Sequence, residues 1–197
     1  MGDRTLRIPR FLHELHGEET SLPALACTYS AAVAAGAAAW VGLAPARPLW
    51  WRLAIAVLVF ADVGGGVVAN FSAGTMRYYR ERPRLRVFFL LAHLVQPALL
   101  TLAFPAASPA FIFAGLFTVG SGLAVTAIRD VEAQQSVAAL LATVGTLGAA
   151  LIGAAFIAAA PPILLAFAPL FMLKIIVGFS VRRPLPGEAL SPGQKSA

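Results

Sequence analysis

The sequence predicts an all-α fold, a polytopic membrane bundle of about six transmembrane helices with both termini in the cytoplasm. Three observations carry this prediction. First, 59% of the 197 residues are hydrophobic and only 12% are charged, with a mean hydropathy of +0.79, whereas soluble domains run about 45 to 50% apolar and about 25% charged. Second, the apolar residues come in continuous runs of about 18 to 25 residues, the length a helix needs to cross roughly 30 Å of hydrocarbon. Barrel strands would alternate polar and apolar instead. Third, Lys and Arg are distributed unevenly between alternate loops.

Taken in order, the residues before the first span form an N-terminal segment, 1 to 21. Within it, Phe11, Leu12 and Leu15 fall near one face of a short interfacial helix ending at Gly17, with His13, Glu14 and Glu18 turned to water. The positive charge suits a signal peptide, but the apolar run that follows is the length of a span, so it is read as one. Ser21 caps this first span (22 to 44), with Pro23 in its first turn. The others are expected at 50 to 75, 87 to 104, 109 to 128, 137 to 159 and 161 to 181. Pro161 and Pro162 turn the chain between the last two, since a run from 137 to 181 is too long for one span. One transmembrane domain, 22 to 181, and a disordered cytoplasmic tail, 182 to 197, complete the chain.

Twelve of the fifteen basic residues lie on one side. These are Arg4, Arg7, Arg10, Arg77, Arg80, Arg82, Arg84, Arg86, Arg129, Arg182, Arg183 and Lys195. The opposite side carries Arg47 and Arg52. This bias sets the orientation and accounts for the high isoelectric point, near 10.4, without a nucleic-acid partner. A cell-membrane, multi-pass location follows, with the bilayer itself as the main partner.

Polar residues inside the spans carry the functional information, because each is costly in hydrocarbon and needs a partner or water. At about 1.5 Å of rise per residue, Asn70, His93 and Lys174 share a depth, Gln96 and Pro97 lie one turn further in, and Asp62 is near the middle of the bundle. Together they would line one cavity open to the cytoplasm. Residues Gly65, Gly66, Ala69 and Ala73 follow Asp62 at helical spacing, so the acid sits on a stripe with almost no side-chain bulk. Either a neighbouring helix or a ligand comes close to that stripe. In apolar surroundings Asp62 would keep its proton and donate it, unless Lys174 or His93 pairs with it. Lys174 has the alternative of snorkelling to the headgroups. Asn70, Gly74 and Arg77 recur at four and three residues, leading from the buried layer to a basic mouth where Arg77 meets an anion. Tyr78 lies beside it and doubles as an interfacial anchor with Tyr79.

Several chemistries find no support in the sequence. The single Cys27 forms no internal disulfide. The His13, His16, Glu18 and Glu19 group is read as a solvated face rather than a metal site. No nucleotide loop, zinc-protease helix, serine elbow or heme motif occurs, so no cofactor or metal is expected. "DVGGG" lies within a span and lacks the lysine and hydroxyl of a phosphate loop. The polar run Arg129, Asp130, Glu132, Gln134 and Gln135 reads as a solvated turn, and Thr118, Ser121, Thr126, Thr143 and Thr146 as interhelical hydrogen-bonding groups.

"HGEETSL", then Asp62, Gly65, Gly66, Asn70, Thr75, Tyr78 and Tyr79, then His93, Gln96 and Pro97, resemble a group of small bacterial integral membrane proteins of unknown function. The resemblance covers about the first half of the chain and implies a polytopic bacterial membrane protein. In architecture and in its buried acid, the sequence is also loosely similar to membrane-embedded terpene cyclases. There, a carboxylic acid protonates an epoxide or alkene on a prenyl chain. The expected function is an enzyme acting on a lipid or prenyl substrate by acid-base chemistry, possible cyclisation included. Asp62 would be the general acid and His93 a base or proton partner, with Asn70, Gln96, Arg77, Tyr78 and Lys174 contacting substrate. A small proton-coupled transporter is the alternative, and a noncatalytic partner subunit a third reading.

Overall fold

The computed structural model describes residues 5–156 and 160–185. It is a helical bundle with six helices long and apolar enough to cross a membrane, the organisation of a multi-pass membrane protein. The N-terminal segment holds two three-residue strands, β1 (Thr5–Arg7) and β2 (Glu19–Ser21), paired antiparallel around the short helix α1 (His13–His16). Gly17 ends α1 at a φ of 74°, a left-handed conformation that only glycine adopts without strain. The expected interfacial helix is thus part of the connection between the two strands of a small hairpin. His16 is buried rather than turned to water, with its Nε2 3.1 Å from the Tyr29 hydroxyl.

The first span contains α2 (Leu22–Leu43), capped by Ser21, whose side chain accepts from the Ala24 amide. The second is α3 (Trp50–Ala69), which packs extensively against α2. It ends at Ala69, six residues before the expected position 75, with Asn70 as its C-cap. Ser72 then caps a separate helix, α4 (Ala73–Arg80), by accepting from the Thr75 amide. The Asn70–Gly74–Arg77 face is therefore not continuous, because the chain turns between its first two members.

The third span is also divided, into α5 (Pro83–Ala92) and α6 (Val95–Ala103). Pro97 has no amide hydrogen to give to the carbonyl of His93 one turn earlier, which removes a bond where the helix breaks. The fourth and fifth spans contain α7 (Ser108–Ala127) and α8 (Val131–Phe156). Asp130 starts α8 by accepting from the Ala133 amide, so the fifth span begins earlier than expected and the polar loop is mostly helix. Thr126 and Thr143 donate to carbonyls four residues back in their own helices, not across the bundle.

The last span begins with a 3-10 turn at Pro162, continues as α9 (Phe167–Met172) and finishes as a π-helical segment, Leu173–Phe179. It is the most enclosed of the six, packed by α3, α7 and α8. Its Phe167 ring stacks on Phe171 of the same span at a centroid distance of 5.0 Å and meets Phe111 of α7 edge-on at 5.7 Å and Phe60 of α3 at 6.3 Å. Its C-terminal carbonyls are met by two arginines. Arg86 donates to the carbonyls of Phe179 and Ser180 at 3.0 and 2.8 Å, and Arg183 to those of Gly178 and Val177 at 3.1 and 2.6 Å. Cations are favoured at a helix C-terminus, so these side chains lock the end of the span. The tail expected from 182 is described only to residue 185.

Candidate functional site

The three consecutive glycines of α3 serve different neighbours. A Cβ on Gly64 would lie 2.5 Å from that of Ala35, and one on Gly65 3.0 Å from that of Ala32, so these two let α2 approach. A Cβ on Gly66 would instead lie 2.3 Å from Cε of Lys174. The bare stripe thus receives both a helix and a lysine stem.

That stem crosses from the centre of the bundle to its flank. Lys174 is 2% exposed, and its Nζ donates to Asp62 Oδ2 at 2.7 Å and approaches the Asp62 carbonyl at 3.4 Å. It does not snorkel. The Asp62 side chain, by contrast, is 48% exposed, on the outer surface where α3 meets α6. From α6, Gln96 Nε2 also donates to Asp62 Oδ2. One carboxylate oxygen therefore takes both donors. Among the described residues, Oδ1 accepts no hydrogen bond, and the Gln96 Oε1 atom is buried without a partner.

Two further polar side chains flank the pair. Asn70, where α3 ends, donates from Nδ2 to the Lys174 carbonyl at 2.9 Å, tying the second span to the first residues of the π-helical segment. π-Helical turns occur frequently at functional sites, where they reposition side chains. His93 lies at the break in the third span and is 7% exposed. Its Nδ1 is 2.6 Å from the Phe89 carbonyl, which can only accept, so Nδ1 carries the hydrogen and Nε2 the lone pair. The imidazole is within electrostatic reach of both Lys174 and Asp62.

Five of the seven residues expected at the site, Asp62, His93, Asn70, Gln96 and Lys174, thus belong to one polar layer. Arg77 and Tyr78 do not. They stand on α4 beside the N-terminal hairpin, where the Thr75 hydroxyl donates to the Leu15 carbonyl at 2.8 Å and the Tyr79 hydroxyl to that of Glu14 at 3.0 Å. Burial pushes the Tyr79 phenol well above its usual range, and burial likewise lowers the His16 imidazole from its ordinary 6.5. His13 Nε2 lies 2.7 Å from the Ile8 carbonyl, so the two histidines address different partners.

Gln134 was read as part of a solvated turn, yet it is fully buried. It donates from Nε2 to the Val125 carbonyl at 2.9 Å and accepts the Arg182 amide on Oε1 at 2.6 Å. It joins the fourth and fifth spans to the chain leaving the last one. The only sequence signal was its position one turn after Asp130, a helix-capping residue type.

Comparison with known proteins adds no relative: no family model, no curated protein and no solved structure matches this chain.

Proposed function

We propose that this protein is a cell-membrane enzyme acting on a hydroxyl-bearing lipid or prenyl substrate by acid-base chemistry, with Asp62 as the group that takes the hydroxyl proton. The observation carrying this reading is the free Oδ1 of a half-exposed carboxylate on the flank between the second and third spans. An unsatisfied carboxylate oxygen is costly in hydrocarbon, and a hydroxyl donor arriving sideways from the bilayer would satisfy it.

The role differs from the general acid expected from sequence. With an ammonium donor 2.7 Å away and an amide donor on the same oxygen, Asp62 acts here as an acceptor, and its remaining oxygen is placed to accept from a substrate hydroxyl. Lys174 holds the carboxylate, and His93, through its free Nε2, is the neighbouring base. Asn70 acts through the Lys174 backbone. A likeness to terpene cyclases, which need a protonated acid, is less well served by this pair.

The reading is tested by incubating the protein in nanodiscs with prenyl alcohols and epoxyprenyl alcohols and following them by mass spectrometry. Wild type should convert one of them and Asp62→Asn should not, while remaining folded. Equal conversion by the variant removes the role of Asp62.

One observation favours the proton-coupled carrier as a second reading. The third span is broken at His93 and the last is π-helical from Leu173, so both are irregular beside the polar layer, as in transporters with discontinuous helices. Proton-driven solute flux in reconstituted vesicles, lost in Lys174→Met, would favour it over the enzyme.

A further inference from the structure

A second concave site lies where the N-terminal hairpin folds against α4. The contact is close and rigid. A Cβ on Gly17 would lie 2.2 Å from the Gly74 carbonyl oxygen, and one on Gly74 would lie 2.2 Å from that of Glu19. With the Thr75 and Tyr79 hydroxyls bonded to the carbonyls of Leu15 and Glu14, two sequence-distant segments are held at fixed separation.

Between them is a cavity of about 570 Å³ whose walls carry Arg7 and Arg10 from the N-terminal segment and Arg77 and Arg82 from α4 and the turn after it. Glu18, Glu19 and Glu81 also line it. Internal pairing uses these acids unevenly. Arg82 takes Glu18 at 2.7 Å and Glu81 at 3.5 Å, donates to the Tyr78 carbonyl at 3.1 Å, and lies over the Tyr78 ring. Arg7 reaches Glu19 only at 4.0 Å, with its side chain 94% exposed. Arg10 and Arg77 have no hydrogen-bond or ion-pair partner among the described residues. Two uncommitted guanidinium groups therefore face one cavity from opposite walls.

We infer that this cavity binds a phosphate-bearing anion, either the headgroup of an anionic lipid or a free phosphate or pyrophosphate. Guanidinium forks match phosphate oxygens in geometry as well as charge. Orientation by positive charge explains why arginines are numerous on this face, but it does not require two of them to stand unpaired across a rigid cavity. The inference is independent of the Asp62 centre.

The test uses the full chain in an uncharged detergent, titrated calorimetrically with inorganic pyrophosphate and, separately, with short-chain phosphatidic acid in the same micelles, against phosphatidylcholine. Wild type should bind at least one of the two phosphate probes. Pyrophosphate binding supports the free anion, and binding of phosphatidic acid alone supports the headgroup. Arg10→Gln and Arg77→Gln should each weaken binding by about tenfold, while Arg47→Gln, on the opposite face, should leave it unchanged. The inference is overturned by absence of binding to both probes, by undiminished binding in both cavity variants, or by equal weakening in Arg47→Gln.

Discussion

Lys174 passes over Gly66 to donate to the Asp62 carboxylate at 2.7 Å, joining the most enclosed span to a residue on the bundle's flank. An ammonium within the bundle core needs a partner, and the Asp62 carboxylate supplies one. The two side chains therefore form a pair.

This pairing fixes the pattern expected from mutation. Asp62→Ala or Lys174→Met alone should destabilise the protein by about 3–5 kcal/mol, since each leaves one charge uncompensated. The double variant should cost clearly less than the sum of the two. Unfolding in detergent followed by circular dichroism measures the cycle, and additive losses would show that the two side chains do not act as a pair.

Gly66 should be the least replaceable of the three glycines as far as this pair is concerned. Gly66→Ala places a methyl group into the Lys174 stem and should cost about 1–3 kcal/mol. Shortening the lysine removes the obstruction, so the added cost of Gly66→Ala should largely vanish in a Lys174→Ala background. Thermal denaturation of the four proteins makes this comparison.

The N-terminal hairpin should loosen in acid. The His16 imidazole is lowered from its ordinary 6.5 by burial, so the folded hairpin favours the neutral ring and the released one binds protons more readily. The stability it contributes is complete above about pH 6.5 and is lost as the pH falls below that value, until the folded ring is itself protonated. Trypsin cleavage at Arg10 should accelerate over this range in wild type, and His16→Gln should flatten the dependence.

Gly74→Ala should release the same hairpin at neutral pH, because its methyl group would collide with the backbone at Glu19 and His16. Faster cleavage at Arg10 with unchanged helical content is the expected result. Loss of the whole fold would instead mean that the hairpin supports the bundle.

Much of this arrangement was legible in the sequence for simple reasons. Spans announce themselves by length and apolarity, and constant rise per residue was enough to put Asn70, His93 and Lys174 in one layer, with Gln96 one turn further in and Asp62 near the middle of the bundle. What was hidden depended on side-chain direction and on short elements. Ser72 looks like any small residue in an apolar run, yet as a cap it ends one helix and starts another, which separates Arg77 from Asn70. The strands at Thr5–Arg7 and Glu19–Ser21 are three residues each, too short for an alternating pattern to register. Whether Lys174 snorkels or turns to Asp62 depends on a single opening in the packing, at Gly66, that composition cannot locate.

The most direct test of the central claim is photo-crosslinking with a long-chain prenyl alcohol carrying a diazirine near its hydroxyl. The account predicts labelling of α3 and α6 next to Asp62 and Gln96, displaced by the unlabelled alcohol but not by its methyl ether, which has no hydrogen to give to Oδ1. Labelling elsewhere, or equal displacement by the ether, would contradict it.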